Sequence, residues 1–348
     1  MPLQHLLGID VPLIQAPMAG AQNHALAATI SNAGGLGSLP CAMLDAAGLR
    51  AELTALTAKT AKPFNLNFFC HTPAPVDAQR EAAWRSALQP YYAELAIDPT
   101  GIASGPGRQP FSAEMADLLD EFRPAVVSFH FGLPCAELLA RVKACGAKVL
   151  SSATTVEEAL WLEAHGVDAI IAQGLEAGGH RGHFLDMDLS RQCGTFALLP
   201  QMVDAVRLPV IAAGGIADAQ GVRAAMALGA AGVQIGTAYL CCPEASTSAI
   251  HRAALHSPQA RHTALTNLFS GRPARGIVNR LIREQGPFSP AAPGFPLAAA
   301  AIAPLRAKAE SRGSGDFSPL WAGQNTSGCK HIGAAELTAE LAKGFVAR

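Results

Sequence analysis

The sequence predicts an α/β fold: a (β/α)8 TIM barrel with a smaller, mostly helical second domain. Three observations carry that expectation. Over about the first 250 residues, short β-rich runs alternate with Ala/Leu-rich helical stretches, and eight such runs can be counted. Several of the runs are continuously apolar, as parallel strands covered on both faces require. The chain is 348 residues long, which leaves room beyond the roughly 250 of one barrel.

The strands are expected at Pro12–Ala16, Leu36–Pro40, Phe64–Phe69, Val126–Phe131, Lys148–Ser152, Ala169–Ala172, Val210–Ala213 and Gly232–Ile235. Helices between them carry clear punctuation. Ser112 caps a helix to Phe122 with Met115, Leu118, Leu119 and Phe122 on one face. Asp218 caps a second helix that runs to Leu228 and stops at Gly229. The Gly-rich run Asn32–Ser38 precedes a strand rather than a helix, so it reads as a tight turn. A doubly wound sheet would want its Gly-rich turn to open a helix. Two stretches break the barrel rhythm. The expected organisation is barrel 1–71, an insertion 72–108, and barrel 109–256. A mostly helical unit over the barrel mouth follows at 257–330, then a C-terminal helix within 331–348. The eighth barrel helix is expected before residue 257, and the last helix at Ala334–Phe345 with Glu336, Glu340 and Lys343 on its wet side.

Composition narrows the function. The chain is 50% hydrophobic and 15% charged, with mean hydropathy +0.22, enough for a large core. Lys and Arg total 26 against 27 Asp and Glu, so no basic excess points to nucleic acid. No apolar run approaches the 18 residues of a membrane span. Met1–Pro17 lacks the basic start and apolar core of a secretion signal. The eight cysteines form no C-x-x-C pair or zinc spacing. They read as small buried groups of a reducing, cytoplasmic compartment, with vicinal Cys241-Cys242 open to a redox role. No metal site is expected.

In such a barrel, ligands sit at the C-terminal ends of the strands. Gly214-Gly215 follows the seventh strand and Gly236-Thr237 the eighth. Singly, these glycines need mean only tight turns. Together they point to a phosphate cradle, where bare backbone N–H groups can approach an anion closely. After the sixth strand, Gly178-Gly179 precedes His180, which could exchange a proton near neutral pH or be a hydrogen-bonded surface histidine. His130 ends an apolar strand and reads equally as a core histidine or a site residue. His180 and His183 lack the convergent ligands of a metal site. Asn65 and Asn67 share one face at period two. An unsatisfied amide inside a barrel costs about 1–3 kcal/mol, so Asn67 is expected to bond a ligand ring, and Gln173 likewise. Amide side chains can match the mixed donors and acceptors of a flavin edge.

The runs Gln15–Gly20, Phe64–Phe69, Ser128–Gly132, Ala172–Gly182, Pro209–Ile216 and Gln234–Thr237, with Trp321-Ala-Gly-Gln324, together resemble the nitronate monooxygenase family. The likeness spans almost the whole chain, and Gln173-Gly-Leu-Glu-Ala-Gly-Gly-His-Arg-Gly182 is its most specific part. It implies an FMN-dependent barrel that oxidises alkyl nitronates, such as propionate 3-nitronate, with O2 to a carbonyl compound and nitrite. It implies FMN contacts at Asn67, Gln173, Gly178, Gly179, Gly214, Gly215, Gln234, Ile235, Gly236 and Thr237. Ala16, Pro17, Met18, Trp321 and Gln324 would lie near the ring. His180 matches the family's catalytic histidine and His130 a second active-site histidine. His180 is expected to meet the nitronate as a cation or hydrogen-bond donor, or to act as base towards a neutral nitroalkane. Small molecules are the expected partners, on a monomer or weak homodimer. Phe295–Leu305 lacks the tyrosines and lysine that family members often carry there, which implies a more apolar or more open pocket. The rival readings are a related FMN-dependent NAD(P)H:quinone or enoyl-thioester reductase, a flavin-free sugar-phosphate barrel, and a non-catalytic flavin carrier.

Overall fold

The computed structural model describes residues 1–102 and 108–345. The expected insertion at 72–108 and the C-terminal stretch 331–348 therefore lie partly outside the described residues. The strands are β1 Leu13–Gln15, β2 Gly37–Pro40, β3 Phe64–Phe69, β4 Val126–His130, β5 Lys148–Ala153, β6 Ala169–Gln173, β7 Gly179–His180, β8 Val210–Ala213, β9 Gly232–Ile235, β10 Thr263–Thr266 and β11 Ala274–Ile277. Eight of them form a parallel sheet in the order β1-β9-β8-β6-β5-β4-β3-β2. The sheet closes where Gln15 N donates to Leu36 O at 2.9 Å and Leu36 N to Leu13 O at 2.8 Å. The closed ring is the barrel, and it excludes the doubly wound alternative.

The helices are α1 Leu3–Leu7, α2 His24–Asn32, α3 Ala46–Thr57, α4 Ala78–Leu95, α5 Ala113–Phe122, α6 Ala136–Ala144, α7 Val156–Ala164, α8 Thr195–Ala205, α9 Ala219–Ala227, α10 Ala249–His256, α11 Arg280–Gln285, α12 Ala298–Glu310 and α13 Ala334–Ala342. Ser112 and Asp218 cap α5 and α9 by accepting from backbone N–H groups of the first turn. Asn32–Ser38 is the turn from α2 into β2, with Gly34 at φ 89°. Alternation along the strands sorts side chains into two faces. Leu13, Leu66, Val127, Val149, Ile170, Val210 and Val233 face the helices and build the main core. Ile14, Leu36, Val126, Leu150, Ile171 and Ile211 fill the barrel floor together with Leu3 and Leu7 of α1. That apolar plug leaves only the opposite end of the barrel for polar chemistry.

The structure corrects the sequence reading in two places. The eighth barrel helix is not in the stretch before residue 257. That place belongs to α13, which packs on α2 and α9 and puts Ala334, Leu337 and Leu341 into the main core. In α13, Glu336 and Lys343 are exposed, while Glu340 is half-buried and pairs with Lys330. The span between β9 and α13 also contains more than helices. β10, β11 and β7 form a small antiparallel sheet, with Ala274 opposite His180. A separate apolar core joins α4 to α11 and α12 through Trp84, Tyr92, Leu281, Ile302 and Phe317. Trp84 Nε1 donates to Ala298 O at 3.2 Å. Arg280 forks onto Glu94 with two 2.7 Å bonds.

Candidate active site

The polar end of the barrel is built in layers. Asn65 points inward and donates to Ser38 Oγ and Ser128 Oγ, both at 2.9 Å. One layer higher, Asn67 donates to the same Ser128 Oγ at 2.9 Å. Both amides share the inner face that period two requires, and Ser128 is their common acceptor.

His180 sits above them on β7. Its carbonyl accepts from Gln173 Nε2 at 2.9 Å and pairs with His130 Nε2 at 3.1 Å. Gln173 Oε1 accepts from Gly182 N at 2.7 Å. Both ends of that amide therefore grip the strand carrying His180. His130 Nε2 must carry its proton to donate to a carbonyl, so Nδ1 accepts from Ser152 Oγ at 3.0 Å. Both ring nitrogens of His130 are thus engaged, and burial pushes its pKa down to about 4. In this geometry His130 and Gln173 brace His180.

The His180 ring makes one polar contact of its own, Nε2 to Ser270 Oγ at 2.8 Å. Ser270 is buried, and its hydroxyl donates to Arg272 O at 3.4 Å. With the Ser270 hydroxyl turned to Arg272 O, its oxygen accepts from His180 Nε2–H and the Nδ1 lone pair is left free. Among the described residues Nδ1 has no hydrogen-bond partner. Around the ring stand Phe69 at 6.2 Å, Phe131 at 6.1 Å, Phe295 at 5.3 Å and Trp321 at 5.5 Å between centroids. His71 packs edge-on against Phe295 at 4.7 Å. Burial, then the charges of Arg108, His130, Arg272 and His71, hold His180 well below the usual histidine range. Phe295 forms one apolar wall.

The glycine turns lie at the ends of β8 and β9. Gly214 and Gly215 have φ of 121° and 74°, which L side chains rarely adopt. A Cβ on Gly178 would stand 2.5 Å from Gly323 N. Among the described residues the N–H groups of Gly215 and Gly236 make no hydrogen bond, and Gln234 Oε1 is buried without a partner. Thr237 Oγ1 accepts from Gly323 N at 2.9 Å. Gln324 N donates to Glu176 O at 2.9 Å, and the Gln324 side chain is exposed. Ala16 and Met18 lie beside Gly236, with Pro17 between them in the chain and half-buried. Ile235 packs its side chain into the outer core, so it can offer only main chain. Gly179, at φ 71°, has open space at its Cβ position.

A family model described as nitronate monooxygenase matches residues 1–344. The chain belongs to the nitronate monooxygenase family. It is 46% identical over 341 residues to a nitronate monooxygenase of Pseudomonas aeruginosa, covering 97% of this chain and 96% of that one. It is 45% identical to a nitronate monooxygenase of Paraburkholderia phytofirmans, covering 97% and 92%. A nitroalkane oxidase from Streptomyces ansochromogenes superposes with a TM-score of 0.87 at 38% identity, covering 98% of both chains. This nitronate monooxygenase family member is an oxidoreductase. Among its described residues no helix is long and apolar enough to cross a membrane.

Sequence reasoning missed Ser270, His71, Arg108 and Arg272. None stands in a motif, and Ser270 reaches His180 across 90 positions. The setting of the ring has two measurable consequences. Ser270→Ala removes one neutral hydrogen bond, about 0.5–1.5 kcal/mol, or roughly 2- to 13-fold in kcat/KM. A pH–rate profile should shift with it, and Ser270→Thr should restore both. The buried histidines also set an acid limit. His71, His130 and His251 are held at about 4 and His183 at about 3, chiefly by burial. The unfolded chain takes up these protons from its ordinary value near 6.5 downward, and the folded one only near 4. Thermal melts should therefore show Tm falling steadily from about pH 6.5 to pH 4.

Proposed function

We propose that this chain oxidises alkyl nitronates with O2 to a carbonyl compound and nitrite, with FMN as its cofactor. The observation that carries the FMN assignment is the set of unmatched polar groups around the glycine turns. Gly215 and Gly236 each offer an unbonded N–H, and Gln234 Oε1 is buried without a partner. A singly phosphorylated, flat coenzyme with a donor-bearing edge matches that set. Gly214, Gly215, Gly236 and Thr237 would take the phosphate. Asn67, Gln173, Gly178, Gly179, Gln234 and the main chain of Ile235 would line the coenzyme. Ala16, Pro17, Met18, Trp321 and Gln324 would lie near its ring. When bound, FMN supplies the electron transfer from the nitronate and onward to O2.

The chain's own residues bind, orient and handle the proton. His180 is catalytic in this reading. Its neutral Nδ1 can accept a proton from a nitroalkane carbon, and the bond to Ser270 fixes which nitrogen is free. A bound nitronate supplies negative charge to a mouth that otherwise carries cations, and this raises the proton affinity of His180. Phe69, Phe131, Phe295 and Trp321 exclude water from the reacting carbon. His130 acts by holding the His180 main chain in place. The added core around α4 and α12, from 72–108 and 257–330, is read as the unit over the barrel mouth.

The test is direct. The purified protein should be yellow, with a visible flavin spectrum, and should consume O2 and release nitrite with small nitronates. His180→Asn should keep the flavin spectrum and lose about 10²–10⁴-fold in turnover of neutral nitroalkanes, the usual contribution of a positioned acid or base. Equal turnover in that variant removes His180 from the mechanism. Mixing with NADH without O2 separates the reductase reading, since only a reductase bleaches the flavin rapidly.

A further inference from the structure

His71 stands at the His180 cavity without a task in the proposed reaction. It follows β3 by two residues. Cys70 N donates to His130 O at 2.8 Å, so the pairing of β3 with β4 runs on past Phe69 and carries His71 to the polar end of the barrel. The residue is 4% exposed, and neither ring nitrogen has a hydrogen-bond partner. A neutral imidazole has one N–H and one lone pair, and an imidazolium has two N–H groups. In either form a buried donor is left unmatched, a state that native folds rarely keep.

The rings around His71 locate that donor. Phe69, Phe131 and Phe295 stand 6.4, 6.2 and 4.7 Å from it between centroids. The same three stand 6.2, 6.1 and 5.3 Å from His180. The two imidazoles thus border one apolar box, and His71 is near enough for its charge to bear on His180. Burial alone does not single out His71, since the His183 ring is also buried without partners; the shared box does. What reacts at His180 is a carbon next to a nitro group, and that group ends in two oxygens that only accept hydrogen bonds. His180 offers the carbon a lone pair, so a donor for the oxygens has to come from another wall. His71 carries one across the box.

We propose that His71 is a catalytic residue that donates its ring N–H to an oxygen of the bound nitro or nitronate group and so turns the reacting carbon towards His180. The proposal rests on the nitronate reading of the site and adds the contact that orients the substrate. When a nitroalkane is deprotonated, the α-C–H bond breaks and its proton goes to His180 Nδ1. The electron pair left behind forms the C=N bond, and one N=O pair moves onto oxygen. The His71 bond strengthens as that charge develops. A preformed nitronate already carries the charge and gives it up on oxidation, so there the bond lowers KM and leaves kcat unaided.

Calorimetric titration of the holoenzyme with tert-nitrobutane reads the contact directly, because this nitro compound has no α-proton to lose. His71→Phe keeps an aromatic ring against Phe295 and removes the donor. It should weaken binding roughly 2- to 13-fold, the loss of one neutral hydrogen bond. His71→Asn or His71→Gln, which restore an N–H, should recover most of the affinity. With ethylnitronate, O2 uptake should show KM raised by a similar factor in His71→Phe and kcat little changed. Unaltered affinity in His71→Phe overturns the proposal. So does a loss that neither amide variant reverses, or a wild type that does not bind the probe. If ethylnitronate is not oxidised, the functional reading fails instead, and the calorimetric series still decides the role of His71.

Discussion

The carbonyl of His180 is the point on which the site turns. A loop that follows a barrel strand is ordinarily free to move. Here the loop after β6 becomes β7 and is pinned from three sides. β11 pairs with it, Gln173 and His130 converge on the His180 carbonyl, and Arg181 ties it from behind. The Arg181 guanidinium is fully buried and donates to Gln192 Oε1, Gly174 O and Gln173 O at 2.8, 2.7 and 2.6 Å. Hydrogen bonds to a charged group are worth about 1.5–3 kcal/mol each. Burial lowers the Arg181 pKa to about 9, and the group is still a cation at neutral pH. Glu158 completes the clamp by taking the Phe184 amide at 2.5 Å. The His180 ring is thereby fixed before any ligand arrives, which is what preorganised catalysis requires.

That clamp has an electrostatic consequence. Its cation is Arg181, with Arg272 nearby, while the carboxylate of Glu158 is turned to the Phe184 and Leu185 amides. Glu176 shows the same habit beside the glycine turns, where both its oxygens take Thr195 N at the start of α8. Carboxylates bound to amides keep their charge away from an incoming anion. Burial and the neighbouring arginines hold the histidines of the cavity below their ordinary range.

Much of this was legible in the sequence, for local reasons. β3, β8 and β9 stand where the expected β-rich runs put them, and Ser112 and Asp218 cap their helices through side chains next to the first turn. Asn65 and Asn67 revealed the inner face because a strand alternates. What could not be read depends on contacts between distant segments. α13 carries the same kind of pattern as any amphipathic helix, and nothing in it says that it returns to close the ring between α9 and α2. β7 is a two-residue strand that exists only because β11 lies beside it. Ser270 is one serine in a turn, ordinary until the fold brings it to His180.

Gln173 and His130 illustrate a subtler limit. Their position at strand ends correctly marks them as part of the mouth, because a polar group there must find a partner. The partner need not be the ligand. Main-chain groups of the β6–β7 loop satisfy Gln173 at both ends of its amide and His130 at one nitrogen. The glycine turns differ for a physical reason. Gly215 and Gly236 leave their amides unbonded, and Gln234 keeps a buried oxygen without a donor. A native fold rarely leaves such groups unmatched, since each costs about 1–3 kcal/mol when desolvated alone.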